Sequence, residues 1–286
     1  MSSFEIVTPS YRPDLELCKD LVASVQRYAP PGTRHRIIVP DRDRRLFEVV
    51  EGDNVVVSPV TTLLPRSFRK IAFRNVWVNT RAPWPPVRGW IAQQITKLAA
   101  AAASTADYVL LVDSDLAFVR PFTLDLYTDA TRLDLYAKTD AVSAALPRHM
   151  VWDRVSHDLL GLPPNEAIRR PDYICWPCLW HTDTVRQLLD QVERICGMHW
   201  ASAVGRQLHF SEMVLYGVYV DSGLAGPVRR HADMHCVVHP DEIPLDRDSA
   251  LAIAHSVRDD DVAVMISAKS GTTLQLRREI ISVVST

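Results

Sequence analysis

The sequence has no hydrophobic run that could cross a membrane, because no window approaches the roughly 18 apolar residues that a spanning helix requires. Its first residues, MSSFEIVTPS, also lack the basic and apolar segments of a secretory leader. The 32 basic and 34 acidic residues nearly cancel, and neither sign forms a long run. These absences predict a cytoplasmic protein with no membrane span, no nucleic-acid partner and no polybasic membrane patch.

The sequence also lacks the short motifs of several large enzyme classes. It contains no G-x-G-x-x-G after a strand, no G-x-S-x-G and no H-E-x-x-H. The segment Lys269–Thr272 lacks the glycine-rich approach of a phosphate loop. Dinucleotide oxidoreductases, serine hydrolases, zincins and P-loop kinases are therefore not leading interpretations.

Cysteine is scarce, and the five cysteines are spread over a long chain, which argues against a disulfide framework. Cys175 and Cys178 have the C-x-x-C spacing of thiol oxidoreductases and of half a zinc site. A zinc site would need two more ligands, for which Cys196 or His199 are available. We favour a third interpretation, in which both thiols are buried in an aromatic-rich packing segment.

What the chain does contain is an alternation of strand and helix patterns. Short apolar runs predict strands at Phe4–Thr8, His35–Val39 and Asn54–Val60. Helical spacing of apolar residues predicts helices over Asp14–Tyr28 and Arg42–Val50. With 286 residues and 47% hydrophobic content, the chain can bury a full core. The alternation indicates a largely parallel sheet with helices on both faces.

The pattern weakens between Thr61 and Trp90, where we expect a loop-rich excursion. Strong helix formers then fill Trp90–Ala103 and predict a helix. It leads into Tyr108–Val112, a continuous apolar run typical of a strand buried on both faces.

Two carboxylates, Asp113 and Asp115, follow this strand at its carboxyl end, where open α/β sheets bind their ligands. Their spacing sends both side chains to the same side of an extended backbone. Hard oxygen ligands suit Mg²⁺ or Mn²⁺, which completes its coordination with diphosphate oxygens and water. The alternative is a turn in which Asp113 and Ser114 only cap the following backbone. The buried strand favours the metal interpretation.

Three segments in this order resemble bacterial GT-A glycosyltransferase-like proteins. They are the Gly-Trp-x-x-Gln-Gln-x-x-Lys-Leu helix at Gly89–Leu98, Asp113-Ser114-Asp115, and Phe-Ser-Glu-x-x-x-Tyr-Gly at Phe210–Gly217. The resemblance implies a GT-A (Rossmann-like) α/β fold with a mixed, mostly parallel sheet flanked by helices. It also implies one domain over residues 1–286, with a nucleotide-binding half (1–120) and a sugar or acceptor half (121–286).

The same resemblance implies a nucleotide-diphosphate sugar as the ligand and a Mn²⁺ or Mg²⁺ ion that bridges Asp115 to the diphosphate. It places the base and ribose at the first strand-loop, whose candidate contacts are Thr8, Pro9, Tyr11 and Arg12. Such families often supply a late histidine as a further metal ligand. Our choice is His235, with His231, His239 and His255 as rivals.

A departing nucleoside diphosphate accumulates negative charge, which a divalent cation and a basic side chain stabilise in the transition state. Lys97 and Arg88 are the nearest candidates for that side chain, and Arg12 is a further one. Lys97 could instead be a solvated charge on a helix face. Gln94 and Ser114 are additional candidate contacts to the nucleotide.

Glu212 is our candidate for contact with a reacting hydroxyl of the acceptor or sugar. It opens a run of apolar residues, so it could equally be a helix-start carboxylate that the helix dipole favours. The predicted catalytic set is Glu212, Asp113 and Lys97.

The sequence is compatible with three functions. The first is glycosyl transfer from a nucleotide sugar to a small acceptor, which we favour. The second is a metal-dependent pyranose–furanose mutase on the same fold, in which a ring hydroxyl of the same sugar takes the anomeric position. The third is a binding module that retains the fold without turnover.

Overall fold

The main sheet of the computed structural model has five strands, in the order β12-β7-β1-β2-β3. The structure describes residues 2–71, 74–129, 133–240 and 242–285. Its strands are β1 (Phe4–Pro9), β2 (Arg34–Val39), β3 (Val55–Pro59), β4 (Phe68–Lys70), β5 (Val76–Asn79), β6 (Val87–Arg88), β7 (Tyr108–Leu111), β8 (Leu116–Phe118), β9 (Leu133–Tyr136), β10 (Lys138–Val142), β11 (Arg170–Asp172), β12 (Cys178–His181), β13 (Val228–His231), β14 (Cys236–His239) and β15 (Ala263–Ile266). Its helices are α1 (Leu15–Tyr28), α2 (Arg44–Phe47), α3 (Gly89–Ala103), α4 (Pro147–Leu160), α5 (Thr182–Cys196), α6 (Trp200–Gly205), α7 (Glu212–Asp221), α8 (Arg247–Ser256) and α9 (Leu274–Val284).

Strands β1, β2, β3 and β7 are parallel, and β12 runs antiparallel to β7 at one edge. From β1 the chain adds β2 and β3 on one side and later returns to add β7 on the other side. The strand order therefore reverses between β1 and β7. In open α/β sheets, the crevice at such a reversal is where ligands bind.

Side-chain alternation along the strands gives the sheet two apolar faces. Ile6 and Leu110 pack against α1 on one face, in a cluster that includes Leu21. Val7 and Val109 pack on the opposite face, in a cluster that includes Ile95 of α3. Because neighbouring residues of a strand point to opposite faces, continuous apolar strands require helices on both sides. The result is one mixed α/β domain with helices flanking a mixed sheet.

Smaller sheets extend this core. Strand β15 pairs with β8 in the antiparallel direction and with β14 in the parallel direction, and β13 pairs with β9. Strands β10 and β11 form an antiparallel ladder. No helix in the described part of the chain has both the length and the apolar content to cross a bilayer.

The sequence-based predictions of β1, α1, β2, β3, α3 and β7 are confirmed to within two residues at each end. The helix predicted over residues 42–50 is a four-residue helix, α2, between two 3₁₀ turns. The loop-rich interpretation of residues 61–90 holds for most of the described part of that segment, but it omitted β4, β5 and β6, which form a small antiparallel sheet there. These strands have only two to four residues, too few for a periodic pattern, and they are stabilised by burial of Phe68, Trp77 and Val87 in the core.

Candidate active site at the sheet reversal

The residues that follow β1 and β7 meet at the reversal point. The backbone amide of Val112 donates to the carbonyl of Val7 at 3.0 Å, which extends the ladder to the strand ends. Just beyond it, the Ser114 hydroxyl donates to the Ser10 hydroxyl at 2.9 Å. Ser114 is buried here as a link between the two strand ends, and the adjacent Asp113 side chain is 31% exposed.

Lys97 connects two acidic residues from distant parts of the chain. Its Nζ lies 3.0 Å from Asp113 Oδ1 and 3.2 Å from Glu212 Oε1. Burial lowers the pKa of Lys97, but the Asp113 and Glu212 carboxylates outweigh burial and leave that pKa raised. Lys97 is therefore a fixed cation at the edge of the site, which excludes the interpretation of a solvated helix-face charge.

Glu212 is the first residue of α7, and the Ser211 side chain caps that helix by accepting from the Val214 amide. The Glu212 side chain is only 3% exposed. With its amide nitrogen turned toward Glu212, the Gln94 side chain donates to the same carboxylate. Glu212 thus faces Lys97 and Gln94 rather than solvent. Direct contact with an acceptor hydroxyl stays a prediction, and in this arrangement the carboxylate is not open to one.

Asp115 has one oxygen that is bound and one that is not. Its Oδ2 accepts from the backbone amide of Ala268 at 2.7 Å. Its Oδ1 is buried without a hydrogen-bond partner among the described residues. Burial, followed by the Asp113 charge, raises the pKa of Asp115 to about 6, against the opposing effects of the Ala268 amide, the backbone amide of Asp115 itself and Arg277.

Asp14 is a third carboxylate at this edge, and the sequence analysis missed it as a site residue. Burial, then Asp115 and Asp113, raise the pKa of Asp14 to about 6, with Arg277 opposing them. Burial, then the charges of Asp14 and Asp115, also raise the pKa of Tyr11. Asp14 immediately precedes α1, so in the sequence it is indistinguishable from an ordinary helix-start residue.

The three carboxylates are only partly compensated by protein cations. Arg277 donates to the carbonyl of Thr272 at 3.1 Å and to the carbonyls of Ile266 and Ser267, so backbone groups hold its guanidinium. Asp113 contacts Lys97, and its Oδ2 accepts from Trp176 Nε1 at 3.1 Å. Each carboxylate oxygen has two lone pairs and can accept more than one bond, so these contacts leave lone pairs that could bind a cation.

The donor set fits Mg²⁺ or Mn²⁺. Both ions prefer carboxylate oxygen, and both keep positions for water and phosphate oxygens. Asp115 Oδ1 is buried and has no hydrogen-bond partner among residues 2–71, 74–129, 133–240 and 242–285, which is costly unless some other group pairs with it. Asp115 and Asp113 are the residues that would hold such an ion, with Asp14 adjacent.

The first strand-loop divides into buried and accessible residues. Thr8 and Pro9 are buried in the sheet, and the Thr8 hydroxyl contacts His35 Nε2 at 2.9 Å. Neither offers an exposed surface to a ligand. Tyr11 is 46% exposed beside the carboxylates, and the exposed Arg12 side chain lies 3.7 Å from the buried Asp43 carboxylate.

Among the described residues, Arg88 forms no contact with Asp14, Asp113 or Asp115. It precedes α3, and its guanidinium donates to the carbonyl of Leu208 at 3.0 Å. Lys97 lies nine residues further along the same helix, which at 1.5 Å per residue is a separation of about 13 Å. The length of α3 therefore separates the two predicted phosphate-binding cations.

The structure also separates His235 from Asp115. Val262, which immediately precedes β15, donates to the carbonyl of His235, whereas Ile266, the last residue of β15, donates to the carbonyl of Asp115. These two donors are four positions apart, which corresponds to about 13 Å of extended chain. One ion bound to both His235 and Asp115 does not fit this register.

His235 instead forms a cluster with Asp233 and Asp260, whose ligand atoms lie within 4.8 Å of one another. Arg258 already pairs with both acids, at 2.8 Å from Asp233 and 3.4 Å from Asp260. The guanidinium offsets the charge that would attract a cation to this cluster.

The rival histidines lie on three different elements, and of these three His239 is the one in the sheet that contains β15. His239 is paired with Ile266, so its backbone lies at the Asp115 end of β15, and its Nε2 lies 3.2 Å from the carbonyl of Ile243. His231 ends β13, and His255 is exposed on α8. Among the candidates, His239 is therefore the one whose strand position approaches Asp115.

The C-x-x-C pair is buried, as the packing interpretation predicts. Cys178 begins β12, and Cys175 lies in the preceding loop rather than at a helix N-terminus. The hydrogen bond with Cys178, followed by burial, raises the pKa of Cys175 well above its ordinary value. A thiol in this state is a poor nucleophile and a poor metal ligand.

Comparison with known proteins gives a family but no activity. No curated protein matches the chain. A match to the family of unknown function DUF6492 extends over residues 4–273, which include the three carboxylates, Lys97 and Glu212. The chain therefore belongs to the family of unknown function DUF6492.

Proposed function

We propose that the protein is a metal-dependent enzyme on a GT-A-type fold that acts on a nucleotide-diphosphate sugar, most simply by transferring the sugar to a small acceptor. The observation that carries the proposal is the position of Asp113 and Asp115 at the sheet reversal, where the buried Asp115 Oδ1 has no hydrogen-bond partner in the part of the chain that the structure describes. Together with Asp14, they form a concentration of negative charge at the edge where α/β sheets bind ligands.

Asp115 and Asp113 would hold Mn²⁺ or Mg²⁺. When bound, such an ion offsets the negative charge that develops on a departing diphosphate. Burial, together with the repulsion between neighbouring carboxylates, raises the pKa values of Asp14 and Asp115 to about 6, and a bound cation would offset that repulsion. The protein's own part is to hold these oxygens in place through the Ala268 amide and the Trp176 indole.

Lys97 supplies a second, permanent positive charge. Its raised pKa keeps it protonated at neutral pH, and its two carboxylate contacts fix its position. A cation that is already oriented costs no reorganisation when charge develops on the leaving group. Glu212 and Gln94 act on the far side of Lys97, so we assign them the role of positioning residues in this proposal.

Tyr11 is an accessible residue of the first strand-loop, and burial, followed by the charges of Asp14 and Asp115, raises its pKa. Its exposed ring can cover one face of a base, as aromatic side chains do in many nucleotide sites. Arg12, held beside Asp43, can contact a phosphate or ribose oxygen.

A nucleotide-sugar mutase is the second candidate, and the burial of Glu212 favours it. Transfer needs a group that receives the acceptor proton, and the carboxylate proposed for that step is enclosed. Rearrangement uses a hydroxyl of the bound sugar itself and needs no acceptor.

Calorimetry with uridine and guanosine diphosphate, with and without Mn²⁺, tests the metal-dependent site. Asp115→Ala should abolish the Mn²⁺-dependent part of nucleotide binding and leave the fold intact, because Asp115 lies in a loop at a strand end. Asp259→Ala, which removes an exposed carboxylate elsewhere, is the matched control. Unchanged Mn²⁺-dependent affinity in Asp115→Ala would contradict the site.

A second experiment separates the reaction types. The protein is incubated with Mn²⁺ and a panel of nucleotide sugars in the absence of an acceptor. An isomeric product identifies a mutase, and slow hydrolysis identifies a transferase. Binding without any change of the sugar identifies a module that lacks turnover.

A further inference from the structure

One stretch of the sequence contains no acidic residue over more than fifty positions. Residues 54–106 include no Asp or Glu, although the whole chain has 34 of them. The same stretch contains six cations between Arg66 and Arg88, in addition to the buried Lys97. The near-neutral total charge of the chain therefore conceals a local excess of positive charge.

These cations lie on and around the small sheet β4–β5–β6: Arg69, Lys70 and Arg88 are in its strands, and Arg66, Arg74 and Arg81 are in the adjoining segments. Phe68 and Trp77 face the core, so the residues between them in the ladder face outward. Arg69 and Arg88 lie on that outer side, each opposite a valine of β5. The outer face is thus formed by arginines beside partly exposed apolar side chains.

All six cations are exposed, and none forms an ion pair with a residue that the structure describes. Their polar contacts are to neutral groups, such as Lys70 Nζ to Asn75 Oδ1 at 3.1 Å. We call this set the basic sheet surface, and its members are Arg66, Arg69, Lys70, Arg74, Arg81 and Arg88. Unpaired charges of one sign on a small area produce a local positive potential.

Large apolar side chains project from the same region. Trp84, in the loop between β5 and β6, is 80% exposed, and Ile71 follows β4 at 37%. Leu208 is 58% exposed, and its carbonyl accepts from Arg88. Apolar and indole side chains beside arginines suit the interface between lipid headgroups and acyl chains, where tryptophan is enriched.

We infer that the basic sheet surface docks the protein on a membrane that contains anionic lipid. Anionic headgroups complement the six cations, and Trp84 and Ile71 have the apolar surface to enter the headgroup region. A single-stranded nucleic acid would also complement the charge, but it would use aromatic faces for base stacking and would leave the aliphatic Ile71 and Leu208 without a role. The mode is peripheral, since the described helices include none that spans a bilayer.

Docking there would place the candidate active site close to the lipid surface. Arg88 immediately precedes α3, and Lys97 lies on the third turn of the same helix. The separation of about 13 Å along the helix is less than half the thickness of a bilayer core. This inference does not depend on the proposed reaction.

Sedimentation of the full chain with phospholipid vesicles tests the inference without any nucleotide. The vesicles contain either phosphatidylcholine alone or an equimolar mixture with phosphatidylglycerol. We expect binding to the mixed vesicles only, weakened by salt. The triple variant Arg66→Gln, Arg69→Gln, Arg74→Gln should bind roughly 10²-fold more weakly, since each basic residue near an anionic surface contributes roughly fivefold.

The matched control is the triple variant Arg148→Gln, Arg154→Gln, Arg194→Gln, which changes the net charge equally at exposed arginines on α4 and α5. It should bind like the wild type. Trp84→Ala tests the apolar contribution separately and should weaken binding severalfold. Thermal melts of all variants should match the wild type because the substituted side chains are exposed.

Three results would overturn the inference. They are failure of the wild-type protein to bind mixed vesicles, equal weakening by both triple variants, and binding to a single-stranded oligonucleotide but not to vesicles. The last result would assign the basic sheet surface to nucleic acid instead. If the Arg66→Gln, Arg69→Gln, Arg74→Gln variant melts at a lower temperature than the wild type, the test is vesicle binding by Trp84→Ala. Wild-type binding by Trp84→Ala would then overturn the inference.

Discussion

Lys97 on α3 and Asp113 after β7 form an ion pair of 3.0 Å that closes the edge of the candidate site. The same ammonium contacts the buried Glu212 at 3.2 Å. A buried carboxylate that loses its cation is strongly destabilising, because its charge is then neither solvated nor paired. The contacts of Lys97 therefore make predictions about stability as well as function.

Lys97→Met should lower the free energy of unfolding by about 3–5 kcal/mol, since Glu212 would be left buried without its cation. Urea unfolding at neutral pH measures the change. The double variant Lys97→Met, Glu212→Gln should recover part of it, because the orphaned charge is gone. Lys19→Met removes a surface ion pair with Glu16 and should cost less than about 1 kcal/mol. A similar decrease in unfolding free energy in Lys97→Met and Lys19→Met would contradict the explanation that Glu212 is a buried charge paired with Lys97.

Glu212→Gln should lower turnover by roughly 10²-fold while nucleotide affinity changes little, because a misplaced Lys97 affects the developing charge more than the ground state. Initial rates and calorimetry on one preparation give both quantities. Some loss of thermal stability is also expected, since Lys97 loses one of its two carboxylates. Near-native rates with a lowered melting temperature would assign Glu212 a structural role only.

Acid should destabilise the protein through His35. Complete burial lowers the pKa of His35 to about 3, whereas an unfolded histidine titrates near 6.5. Below that unfolded value, the unfolded chain binds a proton that the folded protein excludes. Stability from this group is therefore fully present above about pH 6.5 and is lost as the pH falls, by about 2 kcal/mol at pH 5.

His35→Gln removes the titration while keeping a polar partner for the Thr8 hydroxyl. The variant should show a smaller decrease in unfolding free energy between pH 8 and pH 5 than the wild type, as measured in urea. His255→Gln, at an exposed position, should leave the decrease unchanged. Identical pH dependence in His35→Gln and the wild type would exclude His35 as the source.

Cys175 and Cys178 should resist alkylation by iodoacetamide in the native protein. Both thiols are buried, and the pKa of Cys175 is raised, so little thiolate is available. The half-buried Cys196 should be labelled first, and all five cysteines should react after denaturation. Mass spectrometry of peptides measures the order, and Cys196→Ser is the control. Rapid native labelling of Cys175 would revive the redox interpretation.

Local sequence patterns were sufficient to predict the central strands and helices of the fold. Strand β7 was predictable because a strand buried on both faces must be continuously apolar, and Asp113 and Asp115 stand out as the charges that end the run. Helix α3 was predictable from its helix-forming residues. Strands β4 to β6 were not, because each is too short to show a period and their order depends on core contacts of Phe68 and Trp77.

The sequence by itself determined the alternation of strands and helices and the carboxylate pair that follows β7, because periodicity and the position of a charge after a strand are local properties. Only the tertiary structure decided which distant residues join that pair. It brought Asp14 and Glu212 into the site, and strand register kept His235 away. It also turned a chain of balanced charge into one with a basic face, because charge segregation in space depends on how β4 to β6 fold rather than on the total charge.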